Sequence, residues 1–171
     1  MTSWITAELD QLNQEQRGLA ERLDAVVTHV DLPLLDVAAS SARLDSRSFH
    51  VRFAHRTTPQ LAIDIDAPGD GEFIVSYWEE HESFRKGDAA DGRVWPFASD
   101  DPLQATLSLV EALLTGRIEL HVWRRPLAIR TRSFWINDEG ESELFLRGGT
   151  VGPYFGWTRT PDVYRFDYTG E

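Results

Sequence analysis

Hydrophobic residues recur near the start of the chain at alternating steps of four and three positions. This spacing places them on one stripe of an α-helix, which Ser3 would cap and Pro33 would end. The stripe consists of Ile5, Leu9, Leu12, Leu19, Leu23, Val26 and Val30, together with one polar residue, Gln16. We therefore expect a long N-terminal helix packed on the chain's own sheet, with a helix that contacts a partner or a second copy as the alternative.

Alternation of apolar and polar residues follows, which is typical of strands with one buried face. It runs through residues 49–55, 61–66 and 73–78, separated by turn sequences at 57–59 and 68–71. Three strands joined by short turns predict an antiparallel meander. The preceding residues 34–47 are expected to form a loop or a short second helix, and the polar residues 79–101 a surface loop.

A second helix and further strands account for the rest of the chain. Asp101 and Pro102 provide an N-cap and a first helical residue, and Gly116 ends the helix. The buried stripe of this helix consists of Leu103, Leu107, Val110 and Leu114. Alternation then predicts strands over 118–123, 127–136 and around 144–146, with a hairpin turn at 137–140 and a short last strand at 164–168.

These elements predict one α+β domain spanning residues 1–171, a common domain size. We expect the long N-terminal helix and the second helix to pack on a mainly antiparallel sheet of six to seven strands. No apolar run approaches the roughly 20 residues of a membrane span, and the N-terminus lacks a signal-peptide pattern. A cytoplasmic location without membrane contact is the expectation.

The charge balance favours a protein partner over nucleic acid. The formal net charge is −11, which would repel a phosphate backbone and attract a basic protein. A basic stretch at 117–135 is interleaved with aromatic residues, but we expect its arginines to pair with carboxylates of the chain itself. The absence of cysteine excludes disulfides, thiolate zinc sites and cysteine nucleophiles.

Residues that could carry catalysis or bind a metal do not occur in a matching pattern. Residues 79–82 read Glu-Glu-His-Glu, but neighbouring side chains at a strand end point to opposite faces and cannot converge on a metal. The five histidines have neither a metal-binding nor a catalytic spacing. Asp64 and Asp66 share a strand face, which we interpret as the solvent side. We expect no cofactor, no metal and no enzymatic activity; a hydrolase whose site the sequence hides is an alternative.

Aromatic residues in turn-like, acidic segments suggest a contact surface. Trp and Tyr are enriched in binding hot spots, although the same residues could form a small core under the loops. The predicted partner-binding residues are Trp78, Glu79, Glu80, Glu82, Phe84, Asp88, Asp91, Trp95, Tyr154, Phe155 and Trp157. The alternative is a small-ligand-binding or regulatory domain, with a pocket lined by Trp135, Phe145 and Tyr154.

The segment 113–125 reads as a helix that passes through Gly116 into a strand ending Trp-Arg-Arg. Together with the short, acidic, cysteine-free and motif-poor α+β character, it resembles the immunity proteins of bacterial toxin–immunity pairs. That resemblance implies a protein-binding inhibitor that blocks a cognate secreted toxin in the cytoplasm. Whether such a protein is a monomer or a homodimer stays open.

Overall fold

The computed structural model of the chain describes residues 4–5, 9–78, 80–86, 97, 99–125, 128–149 and 160–170. Helices and strands both occur, which confirms the α+β class. The helices are α1 (Gln14–His29) and α2 (Pro102–Leu114). The strands are β1 (Ser41–Asp45), β2 (Ser48–Phe53), β3 (Ile63–Ala67), β4 (Phe73–Tyr77), β5 (Glu80–Phe84), β6 (Thr115–Arg125), β7 (Ala128–Ile136), β8 (Ser142–Gly149) and β9 (Asp162–Asp167).

The strands form two antiparallel sheets instead of the single sheet that we expected. Sheet 1 is a five-stranded meander in the order β1-β2-β3-β4-β5, and sheet 2 has four strands in the order β8-β7-β6-β9. The predicted meander is confirmed at the centre of sheet 1, where Val51 pairs with Ile65 and Ile65 with Val75. The predicted number of strands was too low. Alternation shows which side of a strand is buried, but not which strand it joins.

Helix α1 is shorter than predicted. It begins at Gln14, because Asn13 and Gln16 form a capping box in which each side chain accepts a hydrogen bond from the other residue's backbone N–H. Leu12 and Ile5 are buried although they precede the helix. The stripe therefore predicted the buried positions Ile5, Leu12, Gln16, Leu19 and Leu23, but the α-helix begins only at Gln14.

Strands β1 and β5 occupy segments that we expected to be loops or helix. Each is joined to its neighbour by a two-residue turn, because Asp45 pairs with Ser48 and Tyr77 with Glu80. The first turn residues, Ser46 and Trp78, have φ of 56° and 57°. Two-residue hairpins need such positive φ values and favour Asn-Gly. Neither turn contains these residues, so the hairpin signal was missing.

The second half of the chain follows the prediction closely. Asp101 caps α2 by accepting a hydrogen bond from the Leu103 backbone N–H (3.0 Å), and Gly116 follows the helix with φ of 72°. Asn137 holds the β7–β8 turn by accepting hydrogen bonds from two backbone N–H groups. The predicted last strand is confirmed as β9, which pairs with β6.

One continuous cluster of buried hydrophobic residues joins the two helices with the inner faces of both sheets. Helix α2 lies at its centre, since eight of its residues are buried. Neither helix is long and apolar enough to cross a membrane.

Two buried tyrosines connect sheet 1 to the segment that contains sheet 2. The Tyr168 hydroxyl, just after β9, lies 2.7 Å from the Leu61 carbonyl oxygen and 3.1 Å from that of Phe53. The Tyr77 hydroxyl on β4 donates to Ser133 Oγ on β7 (3.2 Å). Burial raises the pKa of both tyrosines above the ordinary value, although the Ser133 hydrogen bond opposes this at Tyr77.

A buried glutamine connects α1 to sheet 1. The Gln16 amide nitrogen donates to the carbonyl oxygens of Arg47 (2.7 Å) and Ala67 (2.9 Å), one in the β1–β2 turn and one at the end of β3. Gly69 packs so closely here that a Cβ atom would lie 2.7 Å from Asn13 Nδ2. Both contacts fix the start of α1 over the end of the sheet.

Replacing Gln16 with Leu should lower the free energy of unfolding by about 2–4 kcal/mol, because two carbonyl groups lose their donor and the capping box is broken. Chemical denaturation measures this value. Gln14→Leu, at an exposed position of the same helix turn, is the control and should change it by less than about 0.5 kcal/mol. Similar losses in both variants would contradict the role of Gln16.

Stability should fall as the pH rises above about 10, where tyrosines ionise in the unfolded chain. The folded protein keeps both buried tyrosines protonated, so the unfolded state binds fewer protons. The free energy of unfolding then decreases by up to about 1.4 kcal/mol per pH unit for each tyrosine. Lysine titration adds little to the pH dependence in this range, since Lys86 is the only lysine of the chain. Tyr168→Phe should reduce this slope in denaturation experiments between pH 9 and 11; an unchanged slope would contradict the assignment.

Candidate functional site

Four of the predicted partner-binding residues lie within the described residues: Trp78, Glu80, Glu82 and Phe84. The expected acidic loop is wrong for 80–84, because this segment is β5 and strand alternation turns Glu80, Glu82 and Phe84 towards the core side of sheet 1. Glu80 is only 8% exposed and accepts a hydrogen bond from the Thr131 hydroxyl. Glu79, Asp88, Asp91, Trp95, Tyr154, Phe155 and Trp157 lie outside the described residues.

Trp78 lies at the surface, where the end of β4 meets sheet 2. Its ring packs against Tyr164 with centroids 6.1 Å apart, and the Arg124 guanidinium lies 5.3 Å from the indole centroid. Arg124 also donates to the Tyr164 hydroxyl (2.9 Å) and pairs with Asp162. The Tyr164 hydrogen bond, more than the Asp162 charge, raises the pKa of Arg124 above its ordinary value. Its guanidinium thus carries a positive charge beside the indole ring.

An open pocket of about 450 Å³, which we call the Trp78 pocket, lies beside this cluster. Its polar lining consists of Arg52, Gln60, Asp64 and Arg124, and Trp78 forms an aromatic wall. Arg52 and Asp64 face each other on neighbouring strands and form an ion pair of 2.8 Å. The pocket thus combines guanidinium and amide groups with a flat apolar surface.

A second open pocket, of about 670 Å³, lies at the other end of β4. Phe73, Pro102 and Leu103 provide apolar surface, and we call the site the acidic pocket. Its negatively charged lining residues are Glu15, Asp70, Glu72 and Asp101, and its positively charged ones are Arg85 and Lys86. Four carboxylates against two cations leave an excess of two negative charges.

The starts of both helices place carboxylates at the acidic pocket. Glu15 lies in the first turn of α1, and Asp101 is the N-cap of α2. The positive end of each helix dipole stabilises these negative charges. Asp70 accepts a hydrogen bond from the Glu72 backbone N–H, and Glu72 pairs with Arg85 (2.6 Å). Helix capping and turn geometry therefore concentrate acidic side chains that are far apart in sequence.

Three of the described histidines, His50, His55 and His121, have structural contacts within the fold. His50 pairs with Asp66 on the outer face of sheet 1, and His121 packs on Phe134 with centroids 4.5 Å apart. His55 contacts the Asp167 carbonyl oxygen through Nε2 (3.0 Å) and accepts backbone N–H bonds through Nδ1. Among the described residues, no group of three or more His, Asp and Glu could hold a metal ion.

The basic stretch 117–135 forms the internal ion pairs that we expected. Arg117 pairs with Asp138, and Arg124 with Asp162. We expected Trp135 and Phe145 to be able to line a ligand pocket. In the structure both rings instead pack edge-to-face on Phe97. A ring occupies the space between them, and Tyr154 lies outside the described residues.

Sequence patterns missed most residues of both pockets. Arg52, Gln60 and Arg124 come from three separate elements and carry no shared motif, so only the packing of the two sheets brings them together. Asp70 and Asp101 did have a local signal, since each belongs to a turn or cap that we predicted. Their convergence depends on how α1 and α2 pack, which local patterns do not specify.

No protein-family model matches the chain, and no curated protein or solved structure is detectably similar to it.

Trp78 has a φ of 57°, which L-residues other than Asn and Asp rarely adopt and which costs roughly 1–2 kcal/mol. Glycine is free of this penalty. We therefore expect Trp78→Gly to be more stable than Trp78→Ala by about 1 kcal/mol in chemical denaturation, the reverse of the usual order within strands. An alanine variant as stable as the glycine variant would show that the turn is not strained.

Proposed function

We propose that the chain is a non-enzymatic inhibitor of the immunity type, which binds a basic secreted toxin domain in the cytoplasm and blocks its active site. The acidic pocket is the observation that carries this proposal. It combines apolar surface at Phe73 and Leu103 with an excess of carboxylates. A Lys or Arg side chain fits this chemistry, because its methylene groups can cover apolar surface while its charge meets the carboxylates.

The charge of the whole chain supports a basic partner. A net charge of −11 creates a long-range field that speeds the encounter with a basic protein. Such a field acts on the association rate, whereas the buried contacts at the centre of an interface set the dissociation rate. An inhibitor that must act before a toxin does damage benefits from both.

The position of the acidic pocket along the chain also supports the proposal. Arg85 and Lys86 line it, and the chain continues from Lys86 directly into the segment that carries Asp88, Asp91 and Trp95. These are predicted partner contacts, as are Tyr154, Phe155 and Trp157. Trp is among the residue types most enriched in interface hot spots.

Neutralising two carboxylates of the acidic pocket should weaken binding to the basic partner at least tenfold. The variant is Glu15→Gln combined with Asp70→Asn, measured by stopped-flow association and equilibrium titration. The partner is the product of a neighbouring gene that arrests growth, or the basic protein that the tagged chain retains in equimolar amount. Most of the loss should lie in the association rate and should shrink at about 1 M salt, where charges are screened beyond about 3 Å.

The matched control is Glu139→Gln combined with Glu143→Gln, which removes the same charge from exposed positions of the β7–β8 hairpin. We expect this pair to change the affinity less than threefold. Equal losses in both double variants would indicate a general charge effect and refute the acidic pocket as the contact. The inhibitor function itself is wrong if the wild-type chain protects against no neighbouring toxin and retains no basic protein at low salt.

A further inference from the structure

The Trp78 pocket is separate from the acidic pocket, because the two lie at opposite ends of β4. Its volume of about 450 Å³ is within the range of roughly 300–1,000 Å³ that is typical of small-molecule sites. Its lining comes from both sheets and from the 3-10 turn at Pro59–Leu61. Sites at the junction of two packed units are common places for a ligand to bind.

Hydrogen-bond donors are in excess in this pocket. Arg52 uses a single terminal nitrogen for both oxygens of Asp64 (3.0 and 2.8 Å), which leaves its Nε and second terminal nitrogen without a hydrogen bond among the described residues. Within the same part of the chain, the Gln60 side-chain amide and the Trp78 indole N–H form no hydrogen bond either. The acceptor oxygens of Asp64, in contrast, are engaged by Arg52. The Arg52 and Gln60 donors face solvent and are free to bind a ligand rich in acceptor oxygens.

The second guanidinium of the pocket is held in position before any ligand binds. Arg124 donates to Tyr164 and Asp162 and lies 5.3 and 5.6 Å from the centroids of Trp78 and Tyr164. A guanidinium held by three neighbouring side chains loses little freedom when it contacts an anion. Arg52 and Arg124 line the pocket from different sheets.

Trp78, the aromatic residue of the pocket, has a strained backbone conformation. Trp78 occupies a turn position with φ of 57°, where Asn or Gly is favoured. Backbone strain of this kind is found most often at functional sites. The strained turn places the indole in the lining of the pocket, where an aromatic surface suits a planar ring.

We propose that the Trp78 pocket binds a small planar molecule that carries an oxyanion, either a phosphate or a carboxylate. The oxyanion contacts Arg52 and Arg124, the Gln60 amide contacts a further polar group, and the ring packs on Trp78. This ligand site goes beyond the inhibitor function and does not depend on it. A ligand here would also bridge the two sheets, because the two arginines belong to different sheets.

Titration with matched probes tests the site in the full-length protein. Nucleoside monophosphates supply a ring with a phosphate, and benzoate and anthranilate supply a ring with a carboxylate. Adenosine, benzamide and inorganic phosphate each lack one of the two features. The readout is the indole N–H signal of Trp78 in a ¹H–¹⁵N spectrum, which Trp78→Phe assigns among the six tryptophans. We expect saturable shifts of this signal with at least one probe class that has both features.

Variants show whether the binding depends on this geometry. Arg52→Gln should lower the affinity for the tightest-binding probe at least tenfold. The double variant Arg52→Gln with Asp64→Asn should have the same effect, and it avoids leaving the Asp64 carboxylate without its partner. Arg43→Gln removes an exposed arginine from the same face of sheet 1, outside the pocket, and should change the affinity less than twofold. Any one of three results would overturn the proposal. These are that no probe shifts the Trp78 signal, that the neutral compounds bind as tightly as the anionic ones, or that Arg43→Gln weakens binding as much as Arg52→Gln does.

Discussion

The hydroxyl group of Tyr168 is the contact on which the relative position of the two sheets depends. It lies within hydrogen-bond distance of the Phe53 and Leu61 carbonyl oxygens of sheet 1 and its 3-10 turn. The Tyr168 backbone N–H donates to the Leu114 carbonyl oxygen, and the Tyr168 carbonyl oxygen accepts from the Leu34 N–H. One buried residue thus joins the end of β9, the end of α2 and sheet 1. Its hydroxyl would be costly to leave without a partner, so the joint admits few other arrangements.

Both candidate surfaces follow from how the secondary-structure elements pack. The joint at Tyr168 brings the end of sheet 2 against β4, so that Arg124 and Tyr164 lie beside Trp78. At the other end of β4, Gln16 fixes the start of α1 over the sheet, and this positions Glu15 near Asp70 and Glu72. The fold therefore provides an acidic, partly apolar pocket at one end of β4 and a donor-rich aromatic pocket at the other.

The sequence predicted those elements whose signals are local. Asp101, Pro102 and Gly116 defined α2, and alternation defined the central meander and β7. Strands β1 and β5 were missed because their turns place Ser46 and Trp78, not Gly or Asn, at positive φ. The division into two sheets could not be predicted, since pairing depends on contacts between residues far apart in sequence.

The candidate site was predictable only in part and for similar reasons. Trp78 was proposed as a partner contact from its type and its acidic neighbours, and the structure places it half-buried, packed against the edge of the core. Glu80 was misassigned because a carboxylate normally predicts exposure, whereas the Thr131 hydroxyl satisfies this one inside the protein. Arg52 and Arg124 become neighbours of the same pocket only through the tertiary fold.

The central claim, that the acidic pocket is the contact surface for a basic partner, is tested most directly by hydrogen–deuterium exchange. The free chain and its equimolar complex with the basic partner would be compared by mass spectrometry. We predict slower exchange on binding in peptides that cover residues 70–73 and 101–103, together with 85–86, and unchanged exchange in β9. Protection confined to β9 or to the outer face of sheet 1, with the acidic pocket unchanged, would contradict the account.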